Sequence, residues 1–302
     1  MVYFDPNNKS RSHLRAFAIY ATTVFRCSLT KLSPILNIKI CNWVKGFPSF
    51  NLKNPVTYNQ KMQWQKAYDH DDKYTMLADK YAVRKYVEER IGSDYLIPLL
   101  GKWDKFEDIE FDSLPDQFVL KCNHDCASVI ICRDKTSFDY SAAKRKLDRA
   151  LKSNQYYQYA EWQYKNIRPC IIAEKYMHDE GRNDLTDYKF QCFSGVPYFC
   201  RIDIGRYSDH RRNIYDMNWQ LQDWQKGPYR HTDNPIEKPE SFDEMVRIVT
   251  LLSKGLKQVR VDLYNVGGRV YFGEMTITNG GGFEKFDPES VDKMLGDLWT
   301  IK

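Results

Sequence analysis

The sequence predicts an α+β fold with antiparallel sheet, on three observations. Residues 257–283 read as a hairpin. Val259, Val261 and Leu263 alternate with Arg260, Asp262 and Tyr264, Asn265-Val266-Gly267-Gly268 turns the chain, and Val270 and Phe272 alternate back towards Glu274. A second hairpin is expected where residues 187–193 alternate, Ser194-Gly195-Val196-Pro197 turns, and Tyr198 to Ile204 returns. Between the two, Phe242, Met245, Ile248, Val249 and Leu252 recur at helical spacing, with Ser241 as the expected cap and Glu244 three residues on.

The last hairpin organises the chain. Asp262 and Glu274 are twelve residues apart, six either side of the turn, which places them on paired strands and one face. Two carboxylates beside Arg260 repel unless something positive lies between them, and a divalent hard cation is the usual solution. Solvated acids on a surface hairpin are the plainer alternative. The strand runs on through Met275, Thr276, Ile277, Thr278 and Asn279 into Gly280-Gly281-Gly282. A triple glycine lets backbone amides approach a ligand, and hydroxyl, amide and N–H groups beside two acids suit a metal–phosphate complex.

The totals narrow the class. A chain of 302 residues makes one large domain or two to three joined subdomains. No stretch of ~18 apolar residues escapes a charge, so no membrane span is expected. The net charge of +5 is uneven: residues 1–55 carry eight Lys and Arg against Asp5 alone, leaving 37 basic and 39 acidic residues for the rest. A nearly neutral body argues against nucleic acid as partner. The eight cysteines lack framework spacing, and Cys122, Cys126 and Cys132 around His124 do not match a zinc pattern, so reduced thiols are expected.

Taken in order, residues 9–26 contain an apolar run, Ala16 to Phe25, too short to span a bilayer and without a convincing cleavage site. Leu29 to Val44 mixes Leu, Ile and Trp43 with Lys31 and Lys39, and Lys45 follows. This basic amphipathic segment either lies on an anionic membrane surface or packs with its lysines in solvent. Thr57 or Asn59 caps a helix carrying Met62, Trp64 and Ala67. A further helix has its stripe at Leu77, Tyr81, Val83 or Arg84, and Val87 and ends at Gly92. Ile97 to Trp103 is a short strand. Phe118 to Lys121 is a buried strand, a loop holds Cys122 to Ser128 with His124, and Val129 to Cys132 returns. Ser141 to Tyr164 reads as helix, with Tyr156, Tyr157 and Tyr159 covering core or meeting a ligand. Cys170 to Met177 is a buried strand running into charge. Arg201, Arg206, Arg211 and Arg212 crowd a loop with Asp203, where arginine binds phosphate or carboxylate bidentately. Trp219 to Pro239 is irregular. The expected parts are residues 1–54, 55–116, 117–180 and 181–302.

Arg260-Val261-Asp262 followed by Gly273-Glu274-Met275-Thr276 and the glycines resembles the metal-binding strand pair of ATP-grasp enzymes such as D-alanine–D-alanine ligase. Thr276 stands where that family's E-x-N has asparagine, as in the branch named after the teichuronopeptide-synthesis protein TupA. Asp79-Lys80 with Arg84, the strand ending in Lys121, the Glu174-Lys175 hinge and Asp187-Tyr188-Lys189 follow the family's order across residues 55–285. The resemblance implies an ATP-grasp fold with the nucleotide between two antiparallel sheets. It implies Lys80 and Lys121 on phosphates, and Glu174, Lys175 and Met177 on the purine. Asp187 and Lys189 would line the nucleotide face, and Asp262, Glu274 and Thr276 would hold Mg²⁺, with Mn²⁺ as alternative. Arg260 and Arg206 would be catalytic. The implied activity is an ATP-dependent ligase joining a small-molecule amine to a uronic-acid carboxylate of a bacterial surface glycan or its lipid-linked precursor. That implies a cytoplasmic place, or a peripheral one at the inner membrane face. The alternatives are an ATP-grasp sugar kinase, and a glycosyltransferase or non-catalytic component of polysaccharide synthesis. The acidic cluster a nucleotide-sugar transferase would use, Asp69 to Asp72, reads instead as a helix start.

Overall fold

The computed structural model describes residues 22–178, 185–205 and 209–301. Its larger sheet has the order β10-β9-β5-β6-β7, from β5 (Asp187–Phe193), β6 (Val196–Ile204), β7 (Arg211–Asp216), β9 (Gln258–Val266) and β10 (Arg269–Thr276). The smaller has the order β1-β4-β2-β3, from β1 (Leu99–Trp103), β2 (Phe118–Cys122), β3 (Ile130–Cys132) and β4 (Ile171–Lys175). Every ladder in both is antiparallel, as expected of this α+β class. The smaller sheet draws its edge strand β1 from before residue 117. A third ladder joins β8 (Gln225–Lys226) to β11 (Phe286–Asp287).

Each sheet has its own core. Alternation sends Phe190, Cys192, Ile202, Val259, Val261 and Leu263 to one face of the larger sheet. Helices α8 (Phe242–Ser253) and α5 (Val83–Ile91) cover that face through Phe242, Ile248, Leu252 and Val87. Under the smaller sheet, Phe118, Leu120, Ile171 and Ala173 meet Ala143 and Leu147 of α6 (Tyr140–Leu151). A third cluster gathers Tyr58 and Met62 of α3 (Tyr58–Tyr68), Leu295 of α9 (Ser290–Asp297) and Trp299. The α9 backbone lies so close to α3 that a Cβ at Gly296 would overlap the Val56 carbonyl. Gly296→Ala is therefore expected to lower stability by about 1–3 kcal/mol, although alanine is the better helix former by about 1 kcal/mol. Thermal denaturation checks this; an unchanged or raised Tm would show that the helices can separate at no cost.

Several local expectations need correction. The stripe before Gly92 is two helices, α4 (Asp72–Ala78) and α5, broken where Asp79 turns out to an extended conformation. The helix expected to Tyr164 ends at Leu151. Asn154 then caps the short α7 (Gln155–Tyr159), which stops at Ala160 in the left-handed region. Thr57, not Asn59, caps α3, in a reciprocal box with Gln60. Ser241 occupies the cap position of α8 with ψ at 3°, not extended, and without a side-chain bond, and Glu244 accepts from the Tyr95 hydroxyl at 2.6 Å instead of reaching back to the cap.

Candidate active site

Strand alternation also builds the opposite, charged face of the larger sheet. Across β5 and β9, Lys189 faces Asp262 and Gln191 faces Arg260. Across β9 and β10, Glu274 faces Asp262 and Thr276 faces Arg260. β6 adds Arg201 opposite Lys189 and Asp203 opposite Asp187, and β7 adds Arg212 opposite Asp203.

That arrangement depends on a bulge. Val266 pairs with Arg269, so the turn is the two residues Gly267 and Gly268, both at positive φ (57° and 83°). The ladder then runs regularly to Leu263 opposite Phe272. Continued without a break, it would set Asp262 against Gly273 and turn Glu274 to the apolar face. A register shift at Gly273 adds one residue to β10 and brings Glu274 opposite Asp262. The expected pairing is present, but the bulge, not symmetry about the turn, produces it. Glycine suits the position: a Cβ there would lie 3.0 Å from the Asp262 carbonyl oxygen and 3.0 Å from the Tyr264 ring.

Between the two acids lies a guanidinium. Arg260 donates to both Asp262 carboxylate oxygens (2.6 and 2.8 Å), to Glu274 Oε1 (2.7 Å) and to Asn279 Oδ1 (2.6 Å). Lys189 Nζ donates to Asp262 Oδ2 at 2.7 Å and lies 3.4 Å from Asp187 Oδ1. The Thr276 hydroxyl donates to Glu274 Oε1 at 3.0 Å. Asp262 is 1% exposed. Burial opposes its charge, but Arg260 and Lys189 outweigh that and hold its carboxyl well below the usual range. Glu274 differs, with its side chain 35% exposed.

A second group sits on the smaller sheet. Lys121 Nζ donates to Glu174 Oε2 at 2.5 Å, and Arg84 Nη1 reaches Glu174 Oε1 at 3.4 Å. Both oxygens of the expected purine-contacting acid are thus held by cations. Lys80 Nζ donates to the Asp125 carbonyl and so ties down the loop after β2. Lys175 ends β4 exposed, and Met177 is half-buried beyond it. Arg206 lies outside the described residues. His124 is no ligand candidate: it is buried, with Nε2 3.1 Å from the carbonyls of Ala150 and Ser153.

Beside the charged face is a cavity walled by Tyr58, Phe199, Arg201, Trp224, Lys226 and Arg260. Its polar atoms are mostly donors. The buried Trp224 Nε1 has no acceptor, and neither has Arg201 Nε, which lies 3.4 Å from Asp203 Oδ2 outside bonding geometry. Lys226 Nζ pairs with Glu284 at 2.9 Å. Burial pulls the Lys226 ammonium down to about 7, against the attraction of Glu284. Arg212 donates to Asp203 Oδ1 and to the Lys226 carbonyl, both at 2.6 Å. Arg211 turns away, to Asp209 and Asp233.

The structure thus brings together Asp187, Lys189, Arg260, Asp262, Glu274 and Thr276 in one group, and Lys121 and Glu174 in another. Sequence reading missed Gln191, Trp224 and Lys226, whereas the amide of Asn279, expected beside the two acids, is there on Arg260. Gln191 was within reach of sequence reading, two residues after Lys189 on an alternating strand. Lys226 lies in a stretch without periodicity and gave no signal. Among the described residues no three or more His, Cys, Asp or Glu side chains gather as a metal centre. Asp262, Glu274 and Thr276 nonetheless offer the hard oxygen donors that suit Mg²⁺, so the donor chemistry fits that ion.

The family description that matches is TupA-like ATPgrasp, across residues 60–300. No curated protein matches the sequence. Among solved structures, D-alanine–D-alanine ligase from Bacillus anthracis, complexed with ATP, is 17% identical at a TM-score of 0.40. The match covers 67% of this chain and 54% of that one. The Helicobacter pylori D-alanine–D-alanine ligase is 13% identical at a TM-score of 0.39, covering 74% and 62%. D-cycloserine synthetase DcsG is 16% identical at a TM-score of 0.40, covering 74% and 70%. The chain therefore spans little more than half the length of the Bacillus anthracis enzyme.

Proposed function

Because this chain belongs to the TupA-like ATP-grasp family, we propose that it is an ATP-dependent ligase that joins an amine to a uronic-acid carboxylate of a surface glycan or its lipid-linked precursor. One observation carries the reading. The charged face that ends in Lys189, Asp262 and Glu274 runs without a break into a donor-rich cavity with aromatic walls. The first part suits the phosphates of ATP and the second suits a sugar acid.

On this reading the residues take the following roles. Arg260 is held by four hydrogen bonds, so its charge is oriented before any substrate arrives and costs no reorganisation during reaction. Lys189 stands beside it, fixed on Asp262. Asp262 and Glu274, with Thr276, would hold Mg²⁺ or Mn²⁺, which when bound neutralises phosphate oxygens. Lys80 and Lys121 serve the phosphates, and Glu174, Lys175 and Met177 the purine, with Asp187 lining the nucleotide face. In the cavity, Arg201 and Lys226 receive the carboxylate, and Tyr58, Phe199 and Trp224 flank the sugar ring. The carboxylate oxygen attacks the γ-phosphorus and ADP leaves. The amine nitrogen then attacks the acyl carbon, inorganic phosphate departs with the C–O electron pair, and the nitrogen loses a proton. No helix among the described residues is long and apolar enough to cross a membrane.

Hydroxylamine provides the test. Enzyme, Mg-ATP and a panel of uronic-acid oligosaccharides with hydroxylamine are expected to give a hydroxamate, identified by mass, together with free phosphate. A phosphorylated sugar that keeps its free carboxylate, with no hydroxamate, would replace the ligase with a kinase.

A further inference from the structure

Helix α2 (Pro34–Val44) follows the helix at residues 22–32 and carries apolar side chains on both sides. Its inward side carries Ile38 and Cys41 together with Asn37, fully buried, and Asn42. Asn37 Nδ2 donates to Thr30 Oγ1 at 2.6 Å and to the Gln158 carbonyl at 3.2 Å. Asn42 Nδ2 donates to the carbonyls of Phe47 (3.2 Å) and Pro48 (2.9 Å). Outward it presents Leu36 and Trp43, seven residues apart on one stripe, with Val44 beside them and Leu32 just before the helix. Leu32 and Trp43 are each 79% exposed. Of fifteen large apolar side chains exposed among the described residues, six lie between Val24 and Val44, a density no other stretch approaches.

The charge carried by this stretch of chain has one sign. Residues 6–68 contain no Asp or Glu, and Lys31, Lys39 and Lys45 are exposed among the apolar side chains. That excludes two occupants on physical grounds. A second copy meeting the same face across a two-fold axis would set lysines against lysines. Residues 1–21 carry Lys9, Arg11 and Arg15, and folding them over the face would also stack like charge. An anionic lipid surface takes both components: aromatic and aliphatic side chains enter the interface while the lysines meet headgroups.

We propose that the corner formed by residues 22–45 docks on an anionic membrane surface through Leu32, Leu36, Trp43 and Val44, with Lys31 and Lys39 on the headgroups. The inference is independent of the ligase reading, yet it bears on access to the site. The Phe47 ring lies 5.8 Å from that of Phe283, and Lys45 Nζ lies 4.6 Å from the Phe283 ring. Phe283 directly follows the glycines that lead from Asn279, so the docking face and the charged face flank one loop.

The experiment sediments the full chain with vesicles of phosphatidylglycerol and phosphatidylcholine, and with phosphatidylcholine alone. Partitioning is expected to be about tenfold or more higher with phosphatidylglycerol, and to fall steeply as salt is raised. The combined substitution Leu32→Ser, Trp43→Ser and Val44→Ser, and separately Lys31→Glu with Lys39→Glu, should each cost about tenfold or more in partitioning while leaving Tm unchanged. Equal sedimentation of wild type and both variants would overturn the proposal. So would a concentration-dependent dimer, seen by sedimentation velocity and abolished by the serine variant, that shows no vesicle binding. A lowered Tm in the serine variant with vesicle binding intact would mean that the chain itself covers this face, and would overturn it too.

Discussion

Asp262→Asn is expected to lose ATP turnover by about 10²–10³-fold and to destabilise the protein as well, whereas Glu274→Gln should lose turnover at little cost in stability. The two acids share a face but not an environment. Asp262 is buried and takes both arms of Arg260 and the ammonium of Lys189. Removing its charge leaves two cations facing each other in a buried site, which costs about 3–5 kcal/mol. Glu274 is a third exposed, so water can replace what the carboxylate gave Arg260. The pH dependence has a definite sign. Asp262 has a folded-state pKa below its unfolded value, so its stabilisation is complete above the ordinary carboxylate range and fades only as pH falls below about 4. Steady-state ATP hydrolysis and thermal melting of the two variants check this. Equal melting temperatures would show that Asp262 is not the neutralising centre, and wild-type turnover in both would remove the metal and phosphate roles.

Lys226→Met is expected to raise KM for the acid substrate by about 10–100-fold while changing KM for ATP little, since a hydrogen bond to a charged group is worth about 1.5–3 kcal/mol. Lys226 titrates about 7, so its attraction for a carboxylate is greatest below that pH and lost above it. For the wild type, kcat/KM for the acid should fall as pH rises through about 7, and the Met variant should lack that limb. Stability moves the other way. Between about 7 and the ordinary lysine value the unfolded chain binds more protons than the folded one, so stability rises with pH there. The Met variant should show less of that rise. Initial rates against pH, with melting curves in the same buffers, separate the two effects. An unaltered KM for every acid tested would place the carboxylate elsewhere on the charged face.

Docking at the membrane and ligation in the cavity rest on different residues, so the two readings fail separately. Loss of vesicle binding leaves the hydroxylamine result untouched, and an absent hydroxamate leaves the exposed apolar face of α2 to be explained.

Much of the larger sheet was legible in the chain. Val259, Val261 and Leu263 face a core and Arg260 and Asp262 do not, because a strand's side chains alternate whatever its neighbours are. The same period put Lys189 with Asp187 on one face, and five apolar positions made the buried side of α8. The helix ends were less legible. Ser241 and Glu244 satisfy a capping pattern, but a tyrosine from far along the chain competes for the carboxylate. Asp79 breaks a continuous apolar stripe, because its side chain accepts from Tyr81 N and Ala82 N and also from Asn123, a partner 44 residues away.

By itself the sequence determined the α+β class, the ordered series of motifs that carries the family, and Asp262 beside its arginine on one hairpin strand with Glu274 on the other. These depend on local periodicity and spacing, which the chain states directly. Only the tertiary structure decided that Gly273 bulges to bring Glu274 over Asp262, since a one-residue slip is invisible in an alternating pattern. It alone joined Lys226 and Trp224 to Tyr58 and Arg201, and turned Asn37 inward and Trp43 out. Such placements are set by which segments, far apart in the chain, cover one another and by the partners buried polar groups find there. No local pattern encodes that pairing.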